Sequence, residues 1–380
     1  MSLLGSQRAE EFESSDEARF DWALILALVS LVGLGLINVY SATANIPGLV
    51  GVTSYDMALR QLMNLGIGLF VIGLIMLVDY RLVERVAYVI YGVNFFFLAL
   101  VPIFGVVRYG ARRWLNLGFM SYQPSETMKI ATILALAKYF HNRSGTHRLD
   151  FKDLIKPGLI LCVPGFLTIT QPDLGTGGHL LISGTAILLF VGIRPRVLIT
   201  GIIAAIVSFP VAWQYGLKPY QKDRIRTFID PMADPKGEGY NALQSMIAVG
   251  SGQLSGKGFK QGTQTQLHFT PEGHTDFIFT VLAEEWGFLG ALSLFGLYLF
   301  LMYRCVHIAS LARDKFGSLV CVGIIGMIAS QIAINIAMVC GMFPIVGIPL
   351  PLVSYGGTSV ITVCASLGML LNIGYRRTIF

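Results

Sequence analysis

The chain has 380 residues, 54% of them hydrophobic and only 13% charged, with a mean hydropathy of +0.65. A soluble domain of this size needs far more charge to wet its surface, so the composition excludes one and points to an integral membrane protein. The formal net charge of +6 is no nucleic-acid footprint, because much of the basic charge sits in short loops between apolar runs.

Residues 1–21 are acidic (Glu10, Glu11, Glu13, Asp16, Glu17 and Asp21) and read as a disordered tail. Residues 22–380 read as a single polytopic membrane domain. Ala42-Thr43-Ala44 has the look of a signal-peptidase site, but the apolar run before it is too long and its leader is acidic rather than basic. The first helix is therefore expected to stay uncleaved. Membrane-length runs, roughly 17–25 mostly apolar residues, start near Trp22, Gln61, Val86, Pro124, Ile155, Gly175, Val197, Phe277, Ser318 and Leu352. The expected fold is thus all-α and integral to the membrane, with about ten transmembrane helices and a large extracytoplasmic loop, about 216–276, between helices 7 and 8. Pro164 and the Gln171-Pro172-Asp173 break make the fifth and sixth helices the least regular. Five cysteines lie in or beside apolar runs; the odd count offers no disulfide framework, and metal-ligand spacing is absent.

An even number of helices puts both termini on one side, and the positive-inside rule makes that side the cytoplasm. Arg81, Arg85, Arg143, Arg148, Lys152, Lys156, Arg194, Arg196, Arg304, Arg313, Lys315, Arg376 and Arg377 then fall inside. The short outer loops keep only Arg60 and the group Arg108, Arg112 and Arg113 beside Trp114. The expected location is the bacterial cytoplasmic membrane.

Ionisable groups within a membrane helix cost about 2.5–3.5 kcal/mol each on insertion scales. Glu126 and Lys129, three apart in the fourth helix, share a face and can neutralise each other. Two readings stand: a structural ion pair, or the polar wall of a substrate cavity. Asp173, ahead of Leu174-Gly175-Thr176, has the ordinary role of an N-cap. Asp276 follows His274-Thr275 at the end of the long loop, where capping is again the default. An acid at that place is also well sited as a general base, with Glu272 or burial offsetting the acidifying helix dipole. His274 reads as hydrogen-bonding support. Arg112, Arg113, Lys222, Arg224 and Arg226 are suited to phosphate oxygens, or to anionic lipid headgroups. The proline-rich breaks at Pro344 and Ile348-Pro349-Leu350-Pro351-Leu352 put non-helical backbone at membrane depth, which requires burial in protein or a cavity to line.

Five motifs in order then carry a family resemblance: Arg113-Trp114-Leu115 with Gln123-Pro124-Ser125-Glu126; Gln171-Pro172-Asp173-Leu174-Gly175-Thr176; Tyr220-Gln221 with Arg224 and Asp230-Pro231; Gly262-Thr263-Gln264 leading to Pro271-Glu272-Gly273-His274-Thr275-Asp276-Phe277; and Pro349-Leu350-Pro351-Leu352-Val353-Ser354-Tyr355-Gly356-Gly357. From about Trp22 to Arg377 the chain resembles the SEDS family (shape, elongation, division and sporulation), its RodA branch more than its division branch. The resemblance implies a ten-helix peptidoglycan glycosyltransferase that polymerises lipid II during cell elongation and rod-shape maintenance. It implies a catalytic role for Asp276, and roles in activity or substrate handling for Arg113, Trp114, Glu126, Lys129, Asp173, Gln221 and Arg224. It also implies a class B penicillin-binding protein transpeptidase as partner, among other elongation-complex proteins, with the eighth and ninth helices as one docking region. No nucleotide is expected, because the donor pyrophosphate carries the energy and no phosphate-cradling loop is present. No cofactor is fixed; a divalent cation, Mg or Mn, stays open. The residues leave two rivals: a lipid II flippase or other transporter, which also uses broken helices and intramembrane charges, and a non-enzymatic scaffold of the wall-synthesis complex.

Overall fold

The computed structural model describes residues 21–44, 53–108, 111–116, 118, 121–143, 147–234, 237–267, 269 and 273–376. The acidic tail up to Phe20, Glu272 and Arg377 lie outside the described residues. In chain order the elements are α1 (Trp22–Ala42), α2 (Ser54–Leu77), α3 (Tyr80–Phe104), β1 (Val106–Arg108), β2 (Ala111–Asn116), β3 (Ser121–Tyr122), α4 (Pro124–His141), α5 (Phe151–Thr170), α6 (Leu174–Val191), α7 (Pro195–Val211), α8 (Pro219–Ile229), α9 (Glu238–Ser251), α10 (Thr263–Gln266), α11 (Ile278–Ser310), α12 (Lys315–Val339) and α13 (Gly357–Tyr375).

Nine of these helices are long and apolar enough to cross a membrane, counted among the described residues. The tenth expected span is α4, whose Glu126, Lys129 and Lys138 lower its hydropathy. It is nonetheless the helix on which α3, α6 and α12 pack, and its 18 residues reach about 27 Å. The least apolar of the ten helices is thus enclosed by apolar neighbours. α13 is covered by α2, and α1 packs on α11. α7 is the opposite case, with Val197 its one buried residue and an apolar surface otherwise open to the surroundings.

Asp21, Asp79, Asp173 and Asp314 each accept a backbone N–H at the start of a helix, and Thr53–Asp56 and Asp150–Asp153 form capping boxes. Several of the acids near these caps also gather basic partners at one end of the bundle. Arg304 meets Asp21 at 2.8 Å, Lys138 meets Glu84 at 2.7 Å, Arg143 meets Asp153 at 3.0 Å, and Arg376 meets Asp79 at 3.8 Å. Asp21 and Arg376 therefore sit at the same end, as an even number of spans requires. The described residues of the long segment from Gly216 to Asp276 occupy the other, the loop end.

Two features there are absent from the all-α expectation. A small antiparallel sheet in the order β1-β2-β3 carries Arg112, Arg113 and Trp114 on its central strand. And α11 is broken at Gly287, whose φ of 64° and ψ of −159° are accessible essentially to glycine alone. The break frees backbone groups that residues 252–258 then satisfy. Lys257 and Gly258 N–H donate to the carbonyls of Glu284 and Glu285 at 3.0 Å each. Phe288 and Leu289 N–H donate to Gln253 and Leu254 at 2.8 and 3.1 Å. Such exchange is what allows an interrupted helix within a membrane protein.

Candidate active site at the loop end

α11 begins at Ile278, and its cap position is Phe277, whose side chain makes no capping hydrogen bond. Asp276 stands one residue before that cap position. The turn that precedes the helix, residues 273–277, holds the half-buried Asp276 outside the helix. Three successive carbonyls of that turn are each taken by a donor. Tyr355 N–H donates to His274 at 2.9 Å, the Ser354 hydroxyl to Thr275 at 2.6 Å, and the Asn335 amide to Asp276 at 2.8 Å. The donors come from α12 and from the non-helical segment between α12 and α13. That segment is itself pinned: Gln331 donates to Pro349 at 2.8 Å, Asn335 to Ile348 at 2.7 Å, Tyr298 to Pro351 at 2.7 Å and Gln61 to Ser354 at 3.0 Å. The His274 and Tyr355 rings lie 5.8 Å apart.

The same segment joins Asp276 to the start of α6. A Cβ on Gly175 would meet the Val346 carbonyl at 2.1 Å, and one on Gly347 would come within 3.2 Å of Asp276 Oδ2. Asp173, 4% exposed, caps α6 through Thr176 N–H at 3.3 Å, as its sequence position requires. It does more than cap. Gln123 donates to Asp173 Oδ2 at 3.0 Å, and Arg113 stands 3.8 Å from Oδ1 while donating to the Pro172 carbonyl. Arg113 keeps about a third of its side chain exposed, and its Nε is buried with no partner among the described residues. Arg112 donates to the Pro102 carbonyl at 3.2 Å, and Trp114 is half-buried opposite Val106. Arg113, Trp114, Asp173 and Asp276 are thus gathered at the loop end by β2, the α6 start and the segment around Gly347.

Glu126 and Lys129 lie one turn deeper in α4, 4% and 2% exposed, with Lys129 Nζ 2.9 Å from both carboxylate oxygens. His179 completes this group at 3.4 Å and is anchored on the Met327 carbonyl at 2.8 Å. Of the two sequence readings, an enclosed ion pair describes them, not the wall of an open cavity. His179 was not among the sequence candidates, although Thr176, His179 and Ser183 recur at helical spacing on the otherwise apolar α6.

Gln221 is not drawn to Asp276 by its hydrogen bonds. Its side chain accepts from Lys218 N–H at 3.0 Å and donates to the Tyr220 hydroxyl at 3.2 Å, so both bonds are local to the start of α8. Arg224 lies on the same short helix, which packs on α9.

Glu284 and Glu285 were missed altogether. Both are buried near the loop end of α11. Glu284 receives Lys257 Nζ at 2.7 Å and the N–H groups of Gln264 and Thr265 at 2.9 and 3.0 Å. Glu285 receives the Ser41 hydroxyl at 2.5 Å and Gln266 at 3.2 Å. Together they tie residues 257–266 to α11 and to the end of α1. The signal was present: two adjacent carboxylates in an apolar helix, each needing compensation.

Among the described residues no group of three His, Cys, Asp or Glu side chains is close enough to hold a metal ion.

Comparison with known proteins agrees with this architecture. The family of FtsW, RodA and SpoVE, described as cell cycle proteins, matches residues 22–379. The peptidoglycan glycosyltransferase MrdB of Escherichia coli K12 is 35% identical over 370 residues, covering 95% of each chain. A chain from a peptidoglycan synthase complex, solved to describe how polymerization and crosslinking are coordinated, superposes with a TM-score of 0.80 at 32% identity, covering 94% of this chain and 98% of that one. The Thermus thermophilus rod shape determining protein RodA superposes with a TM-score of 0.70 at 29% identity and the same coverage. A match running across all the membrane helices and the long loop segment, with homologous structures of the same architecture, means that the chain belongs to the FtsW/RodA/SpoVE family.

Proposed function

We infer that this chain is a peptidoglycan glycosyltransferase that polymerises lipid II into glycan strands, with Asp276 as the general base. The observation that carries the assignment of Asp276 is its position: an acid at the loop end, outside the helix it precedes, with its own carbonyl and the two before it each held by a donor. A base must be held still near the proton it removes, and such a group contributes typically about 10²–10⁴-fold in rate.

In the reaction, Asp276 takes the proton from the C4 hydroxyl of the acceptor N-acetylglucosamine. The oxygen attacks C1 of the donor N-acetylmuramic acid as the bond from C1 to the pyrophosphate oxygen breaks. The α-linked donor becomes a β-1,4 link by inversion, and undecaprenyl pyrophosphate leaves. Negative charge builds on the leaving group, where preorganised cations act best. Arg113 is the group we assign to it, held by the Pro172 carbonyl and balanced by Asp173. Trp114 is assigned to the same substrate surface. Glu126 and Lys129 support the site from below as an enclosed pair. Gln221 and Arg224 are assigned to substrate handling from α8.

The basic residues at the end opposite the loop support a cytoplasmic location for both termini and an outward-facing site. For a transporter the decisive charges would line a path at mid-membrane, whereas Glu126 and Lys129 are enclosed and neutralised. The structural neighbour from a synthase complex supports a crosslinking partner, which we assign to the class B penicillin-binding proteins. The test is lipid II polymerisation by the purified full chain, alone and with that transpeptidase. Glycan product from the wild type and none from Asp276→Asn supports the reading. Equal product from both removes the base.

A further inference from the structure

We propose that Asn335, together with Ser354, is a positioning residue for the Asp276 carboxylate. The proposal rests on the glycosyltransferase reading of the site and adds to it the device that sets the base in place.

Asn335 is fully buried in α12, where its sequence neighbours Ile334 and Ile336 are apolar. An amide in such surroundings is costly unless its polar atoms are paired. Its Nδ2 is paired twice, donating to the carbonyl of Asp276 at 2.8 Å and to that of Ile348 at 2.7 Å. Two carbonyl acceptors on one side fix which end of the amide is the NH2 group. Its Oδ1 is left buried with no partner among the described residues. A helix-packing role gives no reason to keep that orphaned oxygen; an apolar side chain would fill the space without it.

What the amide joins gives the reason. Ile348 directly follows Gly347, and Gly347 is the residue whose Cβ position lies 3.2 Å from Asp276 Oδ2. One NH2 group therefore holds both sides of the contact between the carboxylate and the backbone facing it. Ser354 repeats the arrangement one residue earlier. Its hydroxyl donates to Thr275 at 2.6 Å and accepts from Leu350 N–H at 2.7 Å, again linking the acid-bearing turn to the same non-helical segment. If either link is lost, the turn and the segment can slide past each other, and misplacement by about 1 Å can cost about 10²-fold in rate.

The test compares wild type, Asn335→Asp, Asn335→Leu and Ser354→Ala as purified full chains polymerising lipid II, alone and with the transpeptidase, with thermal unfolding in detergent measured in parallel. Asn335→Asp keeps the shape of the side chain and leaves at most one donor, and Asn335→Leu removes both. The expected result is a kcat lower by about 10²-fold for both Asn335 variants, with KM for lipid II changed by less than about twofold. Ser354→Ala is expected to lose kcat in the same pattern, by about tenfold, for one hydrogen bond removed. A wild-type kcat in Asn335→Leu, or a raised KM with kcat unchanged, overturns the inference and leaves the glycosyltransferase reading intact. If the Asn335 variants do not fold, Ser354→Ala decides, and an unchanged kcat there overturns the proposal. A wild-type chain inactive in both formats overturns the reading of the site and this inference with it.

Discussion

Gly347 faces the carboxylate of Asp276 so closely that a Cβ on it would sit 3.2 Å from Oδ2, and it does so with φ at +69°. Both facts disfavour a side chain. The left-handed backbone costs a non-glycine residue roughly 1–2 kcal/mol, and the methyl would have to push the carboxylate aside. Gly347→Ala is therefore expected to lower polymerisation at least tenfold while lowering stability by only about 1–2 kcal/mol. Parallel assays of lipid II turnover and thermal unfolding check it; a variant with full turnover would mean that the two groups are not held together in the working enzyme.

The buried carboxylate of Glu284 should act as the clasp of the long loop. Glu284→Gln removes the charge that Lys257, Gln264 and Thr265 share, at an expected cost of about 1–3 kcal/mol. The sharper readout is local. Limited proteolysis should cut within residues 252–267 faster in the variant than in wild type, and an unchanged cleavage pattern would show that the loop is held by other contacts.

Gly287→Ala tests the break in α11. Its Cβ would meet Gly256 N at 2.3 Å, and its φ and ψ lie where only glycine is comfortable. We expect a loss of about 1–3 kcal/mol from the backbone alone, with more from the clash. Poor yield of folded protein, or a markedly lower unfolding temperature, is the predicted result. A wild-type unfolding temperature would mean that the helix can straighten and the loop can release its hydrogen bonds without penalty.

For the enclosed pair in α4, Lys129→Met leaves Glu126 buried and unbalanced, which typically costs about 3–5 kcal/mol. Pairing it with Glu126→Gln should recover most of that stability. Unfolding of the single and double variants in detergent makes the comparison. If the double variant is no more stable than the single, Glu126 is not left unbalanced by the loss of Lys129.

How much of this could be read beforehand differs by feature, for physical reasons. The spans are legible because apolar length is a strong signal, and even α4 is found despite Glu126, Lys129 and Lys138. Asp173 is legible as a cap because it adjoins the helix that it caps. Asp276 is less legible: it stands two residues before Ile278, and the donors that hold the carbonyls of residues 274–276 come from distant segments that no local pattern names. Strands of three, six and two residues carrying charged side chains have no periodicity to detect, so the sheet presenting Arg113 is invisible in the sequence. Gln331 and Asn335, four apart in an apolar helix, do announce a polar face, but their partners are backbone carbonyls of a distant segment that no side-chain pattern names.

The central claim is that the Asp276 carboxylate accepts the proton in glycan polymerisation. The direct measurement is product formation from purified lipid II by wild type and by Asp276→Asn, which keeps the size of the side chain and removes the base. Both proteins would be shown to be folded by the same unfolding transition and assayed with the transpeptidase present. The account predicts glycan strands from the wild type and a loss of at least about 10²-fold in the variant. Glycan strands made by Asp276→Asn at the wild-type rate would contradict it.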